Sequence, residues 1–188
     1  MSRCGYGAVR QTGNRSQAVA AGVIKTKPST PLPTRLSELQ VEVRALIDEL
    51  QPDVVAVERV LFQVNVQTAM SVGQASGIVM AEAATSGCDV REYSPNEIKA
   101  TITGYGAADK NQMEQMVQLL LGIDRPLRPV DAADAIAVAL CHLAQSGPLT
   151  ARAPSRAAKS GSAQTARTPQ TARTPQKAQK HNTTEVRA

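Results

Sequence analysis

The chain has 188 residues, enough for one domain of ordinary size with some chain left over. Its formal net charge of +5 is unevenly distributed, since residues 1–149 hold 13 Lys and Arg against 15 Asp and Glu, whereas residues 150–188 hold 8 against 1. No stretch approaches the roughly 18 apolar residues of a membrane span, and the first residues lack the pattern of a signal peptide. We therefore expect a cytoplasmic protein. The three cysteines lack the paired spacing of a zinc site or a disulfide framework.

The first part of the chain predicts two strands and a helix. Residues 4–11 and 18–26 have the composition of strands and are joined by the polar turn TGNRS. Residues 33–50 place their Leu, Val and Ile side chains on one helical face, and Pro52 ends that helix. A strand pair followed by a helix is typical of an α/β fold.

The middle of the chain continues this alternation. Residues 53–60, DVVAVERV, predict a short strand buried on both faces, and residues 65–87 predict a helix dense in small residues. Residues 88–93 predict another strand. Ser94 is then a predicted helix cap, with Pro95 at the first helical position.

The last part of the chain predicts two helices and a tail. Residues 110–121 and 130–145 have helical patterns, so the whole chain predicts an α/β fold with a mixed central sheet flanked by helices. Residues 150–188 contain the repeat QTARTPQTARTPQ and almost no large apolar side chain, which predicts a disordered basic tail. Such a tail is either merely solvated or attracted to phosphates without regard to sequence.

Glu58 is the strongest single candidate for a functional residue. It interrupts the apolar run VVAVERV near the carboxyl end of its strand, where open α/β sheets bind their ligands. An unpaired carboxylate inside such a strand is costly, so something must compensate its charge. One alternative is a purely structural ion pair with Arg59 or Arg91.

Asp131 and Asp134 stand three residues apart, on one face at the start of the last helix. Acidic residues in a first helical turn also bind free backbone N–H groups, so this pair alone could be structural. Together with Glu58, however, it forms a set of carboxylates without His or Cys, which is the ligand environment that Mg²⁺ or Mn²⁺ prefers. Such sets support phosphodiester cleavage by two metal ions.

Three segments of the chain resemble the signature blocks of the RuvC family, the bacterial Holliday junction resolvases. The segments are VVAVERVLFQVNVQTAMSVGQASGIVMAEAA, YSPNEIKATITGYGAADKNQM and DAADAIAVALCHL. The resemblance covers residues 2–145 and implies a ribonuclease H-like fold. It also implies a homodimer that nicks two opposing strands of a four-way DNA junction in recombination and repair, in partnership with the RuvA-RuvB branch-migration complex.

The resemblance also assigns roles to particular residues. It implies that Glu58, Asp131 and Asp134 are catalytic carboxylates that bind two Mg²⁺ ions per subunit, which Mn²⁺ can replace, and that Lys99 and Lys110 bind DNA. The segment TGYGAADK joins a glycine turn, a helix start and an ammonium, which suits a phosphate. It does not match the nucleotide-binding pattern GxxxxGK[ST]. Without the resemblance, either lysine is equally well explained as a solvated charge.

The chain departs from the family pattern in two places. The family begins with a strand ending in GIDPG, whose Asp is a metal ligand, and this strand is expected ahead of the segment MSRCGYG. A nuclease domain over residues 1–149 would then lack its N-terminal strand and one of four carboxylates. The family's aromatic stacking position falls on Leu61, and Phe62 next to it either stacks on a base or packs in the core.

Two alternative functions therefore stay open. One is a catalytically impaired protein that binds junctions without cutting them. The other is a ribonuclease H-like nuclease that acts on other nucleic acids.

Overall fold

The computed structural model describes residues 2–59 and 66–146, except the side chains of residues 67 and 68. Phe62 and the basic tail therefore lie outside the described residues. Within the described ranges, no helix is long and apolar enough to cross a membrane.

The first two strands form an antiparallel hairpin. β1 (Arg3–Thr12) pairs with β2 (Arg15–Lys25), and Gly13 occupies the turn with φ of +59°, a conformation that glycine adopts without strain. The register shifts once, between Ala8 and Val9. The hairpin confirms the two predicted strands.

The next two strands are parallel. β3 (Val54–Glu58) pairs with β4 (Asp89–Tyr93), and α2 (Val66–Thr85) connects them, as parallel pairing requires. The sequence predicted a mixed sheet without its N-terminal strand, and the described residues form two separate two-stranded sheets. In that part of the chain, no strand pairs with the remaining edge of either β1 or β3.

Four further helices complete the fold: α1 (Leu32–Leu50), α3 (Pro95–Thr103), α4 (Lys110–Leu121) and α5 (Val130–Ser146). Ser94 caps α3 as predicted, and its hydroxyl accepts a hydrogen bond from the N–H of Glu97. Asp109 caps α4 in the same way through the N–H of Gln112, so Lys110 is the first residue of that helix.

Two apolar clusters cover both faces of both sheets. Half-buried residues of β1 and β3, such as Tyr6 and Val55, pack with α1 and α2, whereas Val9 and Ala56 on the opposite faces pack with α3, α4 and α5. The two sheets are thus held between the same two helical layers. The cluster beside α5 consists of Tyr93, Ile98, Ile102, Val117, Ile136, Ala137, Val138, Leu140 and Cys141.

Candidate active site

Glu58 is the last residue of β3, at the carboxyl end of the parallel pair, where it stands opposite Tyr93 of β4. The structure confirms that Glu58 lies at the carboxyl end of its strand, but the predicted full burial is not found, because the other residues of β3 are half-buried and Glu58 itself is exposed. The physical reason is that β3 is paired along one edge alone among the described residues. Partial desolvation, and secondarily the charge of Asp134, still raise the pKa of Glu58.

The proposed ion pair of Glu58 is not formed. Arg91 is paired with Asp89, with 3.9 Å between its Nη2 and the carboxylate Oδ2, and the charge of Arg59 acts on Glu97. Within residues 2–59 and 66–146, no ion pair involves Glu58. An ion pair with Arg59 or Arg91 therefore does not compensate the charge of Glu58.

Asp131 and Asp134 both lie in the first turns of α5. The carbonyl of Pro129 accepts hydrogen bonds from the N–H groups of Ala132 and Ala133, so the start of the helix is organised by backbone groups. Neither aspartate accepts a hydrogen bond from a helix N–H in the part of the chain that the structure describes. Helix capping, the simpler interpretation of the pair, is thus not the arrangement observed.

The two helical carboxylates share an electrostatic environment with Glu58. Desolvation raises the pKa of Asp134, the ammonium of Lys110 opposes that rise, and the negative charge of Asp131 adds to it. Asp134 in turn acts on Glu58. The fold therefore brings together four of the residues singled out from sequence, namely Glu58, Lys110, Asp131 and Asp134.

Arg3 is a member of this site that sequence reasoning missed. Its Nε donates to the Oδ2 of Asp131 across 2.6 Å, although 128 residues separate the two along the chain. The sequence offered one signal, since the glycines of GYG alternate along β1 and mark a face against which another element packs closely. A Cβ on Gly5 would collide with the carbonyl oxygen of Asp131, and one on Gly7 would lie 2.7 Å from the side chain of Ile136.

Lys99 is not joined to this group by any described ion pair. It lies half-buried on α3, and its carbonyl accepts a hydrogen bond from the hydroxyl of Thr103. Phe62 lies outside the described residues, so the choice between Phe62 and Leu61 as the stacking residue stays a prediction.

The side chains of Glu58, Asp131 and Asp134 have the oxygen ligands that a hard divalent cation prefers. The charge of Asp134 contributes to the raised pKa of Glu58, and that of Asp131 to the raised pKa of Asp134, so a cation placed among these carboxylates would relieve repulsion. Nevertheless, the described residues contain no group of three or more Asp, Glu, His or Cys side chains placed to hold a metal ion together. Asp131 already has a cationic partner in Arg3.

Comparisons with known proteins agree on one family. The family model described as crossover junction endodeoxyribonuclease RuvC matches residues 1–142. A protein of that name from Chloroflexus aggregans is 46% identical over 138 residues, which are 73% of this chain and 84% of that protein. Another, from Salinispora arenicola, is 44% identical over 164 residues, or 86% of this chain and 94% of that protein.

Two solved structures are similar over most of the described fold. The structure of Thermus thermophilus RuvC superposes with a TM-score of 0.71 at 32% identity, covering 77% of this chain and 89% of that one. The same protein in complex with a Holliday junction substrate gives a TM-score of 0.70 at 29% identity, covering 77% of this chain and 88% of that one.

Proposed function

We propose that this chain, which belongs to the RuvC family of crossover junction endodeoxyribonucleases, binds four-way DNA junctions and nicks two opposing strands. The observation that carries the proposal is the interacting set of Glu58, Asp131, Asp134 and Lys110 at one end of the fold. These are carboxylates and a cation of the kind that phosphodiester hydrolysis requires. All four lie within the region that matches the family.

The three carboxylates are the residues that we infer to hold metal, with Mg²⁺ as the expected ion, two per subunit, and Mn²⁺ as a substitute. When bound, the metal would activate a water molecule and stabilise the leaving oxygen. Glu58 approaches from the end of a strand and the two aspartates from the start of a helix, so the protein would supply ligands from two directions. Support comes from the chemistry of the carboxylate ligands and from the charge of Asp131 acting on Asp134 and that of Asp134 acting on Glu58.

Lys110 is the residue that we infer to bind a DNA phosphate beside these carboxylates. It is the exposed first residue of α4, where the helix dipole also favours an anion, although the carboxylate of Asp109 already accepts a hydrogen bond from the N–H of Gln112 there. Lys99 is proposed as a second phosphate contact, on the family resemblance alone.

A homodimer fits a substrate with two equivalent scissile strands. Val66, Met70, Gly73 and Gly77 follow one another along α2 at spacings of three and four residues, which places them on one side of the helix. Val66 is 68% exposed and Met70 58%, and among the described residues nothing beyond the helix's own backbone lies within 4 Å of where a Cβ on either glycine would be. We infer that this side of α2 packs against a second copy of the chain.

Cellular context follows from the family and the substrate. We propose that the protein acts in the cytoplasm, where bacterial chromosomal DNA lies, together with the RuvA-RuvB complex. We further propose that residues 1–149 form the nuclease domain, to which the basic segment 150–188 adds sequence-independent affinity for DNA.

The experiment for the proposed function is cleavage of a mobile four-way junction in Mg²⁺, with a linear duplex of the same sequence as competitor. We expect paired symmetric nicks, and Asp131→Asn should abolish them while leaving junction binding in EDTA within about twofold, because metal chemistry and phosphate contact are separate interactions. Asp124→Asn, an exposed aspartate before α5, is the matched control and should cut like the parent. Cleavage by Asp131→Asn at the parent rate would exclude our assignment, and equal competition by duplex would favour a general nuclease.

Two observations favour a protein that binds junctions but does not cleave them. Asp131 is paired with Arg3, and the described residues contain no group of three metal ligands placed together. β1 and β3 also each keep an unpaired edge there. If a strand ending in GIDPG is needed, a chain extended by it should gain cleavage and thermal stability together, because one segment adds both a carboxylate and strand pairing. Equal cleavage by both forms would show that this carboxylate is dispensable.

A further inference from the structure

The contact between Arg3 and Asp131 is fixed by the backbone of both elements. Arg3, Gly5 and Gly7 alternate along β1 and therefore share one face of the strand. The start of α5 lies directly on that face, because a Cβ on Gly5 would collide with the carbonyl oxygen of Asp131. Packing of the main chain therefore places residue 3 beside residue 131, independently of the ion pair between them.

The pair is accessible to solvent as well as close. The side chain of Arg3 is 51% exposed and that of Asp131 is 40% exposed. Exposed ion pairs are weak, so a second cation can compete for the carboxylate. Arg3 is also the one residue within residues 2–59 and 66–146 that forms an ion pair with a member of the Glu58, Asp131 and Asp134 set.

We propose that Arg3 is a resident counter-ion of the carboxylate set, which neutralises Asp131 in the metal-free protein and must release it before a divalent metal ion can bind. This inference rests on the proposed metal-binding role of Asp131. It agrees with the finding that the described residues include no group of three metal ligands placed together, since Asp131 is paired with a guanidinium. Arg3 is accordingly a positioning residue that sets the affinity of the site for metal.

The test is direct measurement of Mn²⁺ binding to the full chain by calorimetry or electron paramagnetic resonance, without DNA. Arg3→Gln should bind Mn²⁺ more tightly than the parent, by up to about fivefold, the factor that corresponds to the upper strength of an exposed ion pair. Arg3→Lys retains a cation and should fall between the two. Arg10→Gln removes the same charge from an exposed position at the other end of β1 and should leave Mn²⁺ affinity unchanged.

The Asp131→Asn background separates this inference from the proposed function. There, Arg3→Gln should no longer change Mn²⁺ affinity, because the carboxylate for which the two cations compete is gone. If Asp131→Asn itself leaves Mn²⁺ affinity unchanged, the metal-binding role of Asp131 is wrong. If Asp131→Asn weakens binding but Arg3→Gln binds no more tightly than the parent, or neither protein binds, competition by Arg3 is wrong. Equal melting temperatures of the variants would show that folding is preserved.

Discussion

The hydroxyl of Tyr93 lies 2.8 Å from Nδ1 of His142, and this hydrogen bond joins the end of β4 to α5. Tyr93 is also the residue that faces Glu58 in the parallel pair. The same bond therefore connects the strand end that carries Glu58 to the helix that carries Asp131 and Asp134. It is a structural link between the two parts of the candidate site, and it contains a group that titrates near neutral pH.

His142 should make folding stability dependent on pH between about 7.5 and 5.5. Burial, followed by the charge of Arg91, lowers the pKa of His142 from its ordinary 6.5, while Asp89 opposes the shift. The unfolded chain then takes up the proton more readily than the folded protein, so stability is present above pH 6.5 and falls as the pH drops through the lowered pKa. Thermal melting across this range in EDTA measures the effect.

Three variants test this prediction. His142→Gln should flatten the fall in melting temperature between pH 7.5 and 5.5, whereas His181→Gln, which removes the only other histidine, should retain it. Tyr93→Phe removes the hydrogen bond without removing the titrating group, so it should lower stability by about 1 kcal/mol at every pH. An unchanged pH profile in His142→Gln would assign the acid sensitivity to other groups.

Glu58 should limit stability at neutral pH. Its pKa is raised above the ordinary 4.5 by desolvation and by Asp134, so the stabilising protonated form is fully present below that value and is lost as the pH rises through the raised pKa. Glu58→Gln imitates the protonated form and should raise the melting temperature at pH 7 by about 1–3 °C, a small value because the residue is exposed. The gain should vanish near pH 4. Glu49→Gln, at an exposed position of α1, should show no gain at either pH.

Much of the fold was predictable because it depends on local patterns. The strands, the helix boundaries and the Ser94 cap follow from periodicity and from residues within a few positions of one another. The unpaired edges of β1 and β3 among the described residues were foreseeable only from the family resemblance, which expects a further strand ahead of MSRCGYG, because composition does not show which edges pair. The position of Glu58 at the end of its strand was predictable, but its exposure was not, because its burial depends on what lies beside β3.

The candidate site was predictable in its residue types but not in its pairings. Asp131 and Asp134 stand together in sequence, and Glu58 stands out as a charge among apolar neighbours. The contact of Arg3 with Asp131 spans 128 residues and has no local pattern. The proximity of Lys110 to Asp134 likewise depends on how α4 packs on α5. Long-range contacts of this kind appear only once the elements are assembled.

Lys110 should contribute one phosphate contact to junction binding. Lys110→Gln should weaken binding and reduce the slope of log affinity against log salt concentration by about one unit, since one fewer counterion is released. Arg15→Gln is a suitable control, because it removes a positive charge from the start of β2, opposite Thr12 and at the other end of the hairpin from Arg3. It should leave the slope unchanged. If the Lys110→Gln protein has the same slope as the parent, Lys110 does not contact a phosphate and is only a solvated charge.

The side of α2 formed by Val66, Met70, Gly73 and Gly77 should hold two copies of the chain together. Met70→Glu places a charge on that side at a position 58% exposed in the single chain, so it should preserve folding but dissociate the dimer. Leu119→Glu, on α4 at a position 72% exposed, is the matched control and should remain dimeric. Sedimentation of the parent and both variants at micromolar concentration measures the outcome. If the parent is a monomer, the proposed dimer is wrong. If the Met70→Glu protein is still a dimer, the interface lies on a surface other than this side of α2. If the dimer is needed for paired cuts, Met70→Glu should also lose the coupling between the two nicks before it loses binding to the junction.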